Sequence, residues 1–294
     1  MEINKILSHI DSVSIPQNAK ITQLKHEDDN EPYQVWRIDT HGESYILKRA
    51  KGDENHIYSS ILDICSGIVP KIYQIIAVDG QIYLLMEFIS GEDLCQCNRS
   101  KLILALDALI ALQQKTWEIE MTGGLEKSYE KSLASRQNRG KYLDDALLEE
   151  AYEKFLQIYQ STAKTLCHDD LLPFNIIATD RNAFLIDWEI GGILPYPTSF
   201  ARLIAHTQED VDAVFYMTEA DKCFAINYYY DKLLKSRGIS YQQWLNTLEY
   251  FLFYEYCEWV YVGNKYRATD GEYYKKYLPV AKKQAAKILQ MKYE

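Results

Sequence analysis

The chain has 294 residues, is 47% hydrophobic and 25% charged, and carries 13 Gly and 7 Pro, which excludes a disordered, collagenous or low-complexity polypeptide. Its 32 basic against 42 acidic residues give a formal net charge of −10, the wrong sign for a protein that displaces counterions from nucleic acid. Six cysteines (65, 95, 97, 167, 223 and 257) form no CxxC pair and read as buried reduced thiols. No 18-residue apolar run and no signal-peptide core are present, so the reading is a soluble, cytoplasmic protein without a membrane span.

The first ninety residues read as strands. Tyr33–Ile38 and Ser44–Lys48 are β-branched and aromatic runs separated by Asp39-Thr-His-Gly42. Ile72–Val78 and Gln81–Phe88 form a second pair joined at Asp79-Gly80, a favoured hairpin turn. Between the pairs, Asp53–Ile64 has a helical period that puts Ile57, Ile61 and Ile64 on one face. After Gly91 the texture turns helical: Ser100 can cap a helix to Gln114, and further helices are expected over Leu125–Asn138, Asp144–Tyr159, Tyr241–Tyr266 and Leu278–Tyr293. Thr165–Ile190 interrupts them, with the short apolar runs Ile176–Ala178 and Phe184–Ile186 flanking a turn at 180–182.

The chemistry concentrates in that interruption. Cys167-His168-Asp169-Asp170-Leu171-Leu172-Pro173-Phe174-Asn175 is followed by Leu185-Ile186-Asp187-Trp188-Glu189. Asp170, Asn175 and Asp187 offer two carboxylates and a carboxamide from loops bracketing a hairpin. Such hard oxygen donors suit Mg²⁺ when phosphates and water complete its octahedron. A lone Asp or Asn in a loop is ordinarily a turn former. The fixed spacing of Asp170, Asn175 and Asp187 is what separates this set from that reading, and it matches a kinase catalytic loop.

His168-x-Asp170-x4-Asn175 together with Ile186-Asp187-Trp188-Glu189 resembles the aminoglycoside phosphotransferase and choline kinase family, which is similar to the protein kinases in fold. The resemblance implies an α+β, bilobal protein-kinase-like fold. An N-terminal antiparallel sheet lobe (1–89) would bind nucleotide, and a larger, mainly helical lobe (90–294) would carry catalysis and substrate binding. It implies ATP and Mg²⁺ as cofactors, Asp170 as the catalytic carboxylate, His168 as its brace, and Asn175 and Asp187 as metal ligands. Lys48, at the end of Tyr45-Ile-Leu-Lys48, would neutralise the α- and β-phosphates. Its expected partner is Glu54, although Tyr58, one turn later, holds the register where the family more often has that Glu. Along Leu84-Leu-Met-Glu-Phe-Ile-Ser-Gly91, the Glu87 carbonyl and Ile89 amide would read the adenine edge, with Met86 closing the back of the pocket.

Two departures accompany the match. Lys25–Pro32, where a small-residue phosphate loop is usual, has no Gly and four acids. The Asp that often follows the metal-binding segment is replaced within Ser199-Phe-Ala-Arg-Leu203.

The acceptor should be a small molecule bearing a hydroxyl, and a cation suits it. Residues 142–260 hold 19 acidic against 8 basic side chains. On the expected helix, Glu255, Glu258 and Trp259 share a face that would suit a quaternary ammonium, with core packing as the alternative for its aromatic residues. Choline or a related amino alcohol is the first acceptor and an aminoglycoside or amino sugar the second. A catalytically silent, spore-coat-type binding protein is the rival class. The basic segment Tyr273–Lys292 reads as a packed terminal helix with a solvated face.

Overall fold

The computed structural model describes residues 2–25, 31–52, 54–61, 64–119, 125 and 127–291. In chain order it begins with α1 (Glu2–Leu7), β1 (Lys20–Lys25), β2 (Pro32–Asp39), β3 (Ser44–Arg49), α2 (Glu54–Ile61), β4 (Ile72–Val78) and β5 (Gln81–Glu87). The five strands form one antiparallel sheet in the order β1-β2-β3-β5-β4. Asp79 (φ 51°) and Gly80 (φ 73°) are both left-handed, the backbone that a two-residue hairpin turn demands.

The chain then passes through Ser90 and Gly91 to β6 (Glu92–Asp93), α3 (Arg99–Lys115), α4 (Ser128–Gly140) and α5 (Ala146–Ser161). Three short pairings follow from β7 (Lys164–His168), β8 (Ile176–Ala178), β9 (Ala183–Leu185) and β10 (Gly191–Pro195): β7 with β10, β8 with β9, and β6 with β8. The rest is α6 (Pro197–Ala205), α7 (Glu219–Tyr229), α8 (Tyr241–Lys265) and α9 (Glu272–Gln290). The result is the α+β order expected, an antiparallel sheet followed by a mainly helical part.

Several boundaries differ from the sequence reading for local reasons. The cap of α3 is Asn98, whose side chain accepts the Lys101 N–H, and not Ser100. The last helix starts at Glu272, six residues before Leu278, and runs through Pro279. No run read from the sequence corresponds to α1, β1, β6, β7, β10, α6 or α7. α6 is only nine residues long, short for a period to stand out, although Phe200, Leu203 and Ile204 recur at helical spacing. Of the acidic loop after Lys25, His26–Asn30 lie outside the described residues.

The pleat of the sheet separates two cores. Tyr45 and Leu47 of β3 and Tyr83 and Leu85 of β5 join Trp36, Ile38 and Ile6 of α1 on one face. Leu84 and Met86 point the other way, into a larger core running from Ile57 and Ile61 of α2 through α3, α5 and α8 to Ile288 of α9. That larger core crosses position 89/90, so α2 and one face of β5 are packed into the helical part. Lys48 lies opposite Leu84, and Ile46 opposite Met86, so Lys48 projects from the face turned toward the helical part.

Candidate active site

Lys48 is where sheet and helices meet. Its Nζ donates to Glu54 Oε1 of α2 at 2.6 Å and also to Asp187 Oδ1. Glu54 is fully buried and additionally accepts the Lys51 N–H at 3.3 Å. Burial alone would lower the Lys48 pKa, but the charges of Glu54 and Asp187 outweigh it and hold the ammonium protonated. Tyr58, one turn beyond Glu54, is completely buried in the larger core.

Asp187 sits just past β9 with φ 62°, a left-handed conformation that is rare outside Gly and recurs at functional positions. The following Trp188 is fully buried, donates from its indole N–H to the Leu185 carbonyl at 2.9 Å, and lies 4.7 Å from the His168 ring. The loop after β7 is thus braced from within. The Asp170 N–H donates to His168 Nδ1 at 3.2 Å, while His168 Nε2 lies 2.8 Å from the Ile186 carbonyl. A carbonyl only accepts, so the proton resides on Nε2. Burial lowers the His168 pKa and keeps the ring neutral.

Asn175, also buried, donates its side-chain amide to the Asp170 backbone carbonyl at 2.8 Å, and its backbone carbonyl accepts the Ile186 N–H at 2.9 Å. The amide nitrogen being committed, the side-chain oxygen is the atom left to face a ligand. Asn175 and Asp187 therefore retain hard oxygen donors in the two loops that Ile186 ties together, a donor set that fits Mg²⁺.

Asp170 has an unforeseen partner. Arg202 of α6 places Nε at 3.1 Å and Nη2 at 2.8 Å from Asp170 Oδ1, and its Nη1 donates to Glu255 at 2.9 Å and Glu258 at 2.5 Å. Burial raises the Asp170 pKa, and Arg202 only partly offsets it. Glu258 also accepts from Arg139 of α4 at 2.8 Å, and the two arginines hold its carboxyl below the usual range despite burial. The acidic face read from α8 is therefore occupied by cations of this chain. Trp259, the third member, is half-buried and stacks on Tyr273 of α9 at 4.3 Å, with Tyr277 at 6.2 Å. His206, Glu255 and Glu258 bring ligand atoms within 4.8 Å of one another, but Arg202 already balances the two carboxylates.

Asp169, next to Asp170, is held by Arg136 of α4 at 2.6 and 3.1 Å, and the Arg136 guanidinium lies over the rings of Tyr159 and Tyr254, 4.7 and 4.6 Å from their centroids. Ser199 accepts the backbone N–H of His168 at 2.9 Å. Ser199 and Arg202 lie within the stretch where the sequence departs from the family pattern. Their three-residue spacing on one helix was the available signal. Of the adenine-edge candidates, Met86 and Ile89 are buried, and Glu87 ends β5 with its carboxylate accepting the Lys71 N–H at 3.2 Å.

A model of the phosphotransferase enzyme family matches residues 22–227. No curated protein matches the chain. Among solved structures, a Ralstonia eutropha protein described as a candidate aminoglycoside phosphotransferase is 16% identical, with TM-score 0.63 over 99% of this chain and 98% of its own. The GDP complex of an aminoglycoside 2'-phosphotransferase-IIIa mutant is 14% identical, with TM-score 0.61 over 98% of each chain. A thermostable mutant of aminoglycoside phosphotransferase APH(4)-Ia, in ternary complex with AMP-PNP and hygromycin B, is 12% identical, with TM-score 0.57 over 92% of this chain and 93% of its own. At these identities the likeness shows the fold: bilobal and protein-kinase-like.

Proposed function

This chain belongs to the phosphotransferase enzyme family, and we propose that it transfers the γ-phosphoryl group of ATP, with Mg²⁺, to a hydroxyl of a small amine-bearing acceptor. The observation that carries this reading is the ammonium of Lys48 held between Glu54 and Asp187, beside a loop that presents Asp170 and Asn175. Lys48 would pair with the α- and β-phosphates, while Glu54 keeps it extended toward them. Asn175 and Asp187 would hold Mg²⁺, which when bound neutralises charge on the transferring group. Asp170 would orient the acceptor hydroxyl and take its proton, with His168 bracing the loop. The Glu87 carbonyl, Ile89 amide and Met86 side chain would form the adenine pocket, giving residues 1–89 the nucleotide and 90–294 the acceptor.

The acidic balance of residues 142–260 and the half-buried Trp259–Tyr273–Tyr277 stack favour a cationic acceptor such as choline or a related amino alcohol. The relative that holds hygromycin B favours a second reading, an aminoglycoside or amino sugar. The complete set of Lys48, Asp170, Asn175 and Asp187 counts against a silent binding protein.

The test is a panel of amino alcohols, amino sugars, aminoglycosides and neutral sugars with Mg-ATP, and Mg-GTP in parallel because one relative binds GDP. Nucleoside diphosphate release and phosphorylated product by mass spectrometry are the readouts. An amine-bearing product is expected. Phosphorylation of neutral sugars alone would refute the cationic acceptor, and no transfer together with no thermal stabilisation by Mg-ATP would refute the enzyme.

A further inference from the structure

Two consecutive aspartates, Asp169 and Asp170, are gripped by arginines from two different helices, and both grips end on α8. Arg136 holds Asp169 and lies over the ring of Tyr254. Arg202 holds Asp170 and is itself held by Glu255 and Glu258, and Arg139 bridges the two assemblies by donating to Tyr254 Oη and to Glu258, each at 2.8 Å.

The Arg202 side chain is 14% exposed and Glu255 3%. All three guanidinium nitrogens point at carboxylates, so the planar fork fixes the angle of whatever it holds, and the bonds are charge-assisted in a region largely closed to water. Both contacts to Asp170 fall on Oδ1. Among the described residues Oδ2 has no hydrogen-bond partner, and the Asp170 side chain remains 34% exposed. Oδ2 is therefore the oxygen that an incoming hydroxyl can reach.

We infer that Arg202 is a positioning residue for phosphoryl transfer: it pins Asp170 by Oδ1 so that Oδ2 faces the acceptor. Glu255 and Glu258 act through Arg202, fixing its fork and balancing its charge, and do not hold the acceptor's cation. To serve a cation directly they would have to give up short charge-assisted bonds that already satisfy them. The inference rests on the phosphotransfer reading and gives Glu255 and Glu258 a different role from the direct substrate contact expected from the sequence. Trp259 is not part of it, since its contacts are the aromatic rings of α9.

The experiment is steady-state kinetics of wild type, R202K, R202M, E255Q and E258Q with Mg-ATP and the best acceptor of the panel, or with water as acceptor if the panel yields none. R202M should lower kcat about 100-fold, the scale of a misplaced catalytic group, with KM for ATP and acceptor within about threefold of wild type. R202K should recover part of the loss, because an ammonium can reach Oδ1 but cannot fix the angle. E255Q and E258Q should lower kcat by smaller factors at unchanged acceptor KM. Mg-ATP affinity by thermal shift, within about threefold of wild type in each variant, verifies that the fold persists. An R202M enzyme with wild-type kcat overturns the inference alone. So does a tenfold rise in acceptor KM at unchanged kcat in E255Q or E258Q, since those carboxylates would then bind the acceptor. Wild type that transfers phosphate to no acceptor, water included, overturns the phosphotransfer reading and this inference with it.

Discussion

The Ser199 hydroxyl, on α6, accepts the backbone N–H of His168 at the end of β7, 31 positions earlier, at 2.9 Å. Both residues are fully buried, so no water can replace the bond. The short hydroxyl anchors the end of β7 to α6. Ser199→Ala orphans a buried N–H and should cost about 1–3 kcal/mol of stability in urea denaturation. A change below about 0.3 kcal/mol would mean that this anchor is dispensable.

Asp170 and Asp187 should separate by variant. Asp170→Asn should lower transfer by about 10²–10⁴-fold, the usual contribution of a positioned acid or base, while Mg-ATP affinity stays near that of wild type. Asp187→Asn should weaken Mg-ATP binding as well, because this carboxylate touches Lys48 and is a proposed metal ligand. Titration calorimetry with Mg-ATP distinguishes the two; equal affinity in both variants would contradict the division of roles.

His168 predicts an acid limb. Its Nδ1 accepts the Asp170 N–H and its Nε2 donates to the Ile186 carbonyl, so a second proton would set one N–H against another. The folded-state pKa is lowered by burial, so below about pH 6.5 the unfolded chain takes up a proton that the native state refuses. Unfolding free energy should fall with pH from about 6.5 downward until the folded-state pKa is reached. His168→Gln should flatten that slope, and an unchanged pH profile would remove His168 from the account.

Gly91 allows close packing between the segment after β5 and β8. A Cβ there would lie 2.4 Å from the Ala178 carbonyl oxygen and 2.8 Å from Ile177, and a backbone oxygen cannot swing aside. Gly91→Ala should cost about 1–3 kcal/mol and displace β8, whereas Gly42→Ala, with nothing within 4 Å of its Cβ, should be nearly neutral. Chemical denaturation of the two variants side by side is the measurement.

All six cysteines are free thiols, four of them buried. Burial pushes the thiols of Cys65, Cys97 and Cys167 up to about 12 and that of Cys257 well above its usual value, so little thiolate exists at pH 8. An alkylating reagent should label the exposed Cys223 first in the native protein and reach these four only on denaturation, as mass mapping of the adducts would reveal. Rapid native labelling of Cys167 would show that the β7–β10 pair opens readily.

The alternating and helical periods that locate β2, β3, β4, β5, α3, α5 and α8 are local consequences of burying one face, and they are visible in the residues themselves. So is the spacing of His168, Asp170, Asn175 and Asp187, because a tight loop and a short hairpin leave few ways to return a side chain to the same place. α6 escaped because its period, carried by Phe200, Leu203 and Ile204, spans only nine residues, shorter than the window over which a helical repeat stands out.

What the chain determined on its own was the order of elements and the contents of one loop, since both depend on neighbours a few residues apart. Which charges neutralise which was decided only by tertiary packing. The partners Arg202 and Asp170 are separated by 32 residues, and Arg202 and Glu258 by 56. No local preference specifies such pairs. The cost of burying a charge without a counter-charge does, and that cost arises only once α4, α6 and α8 have closed around the loop.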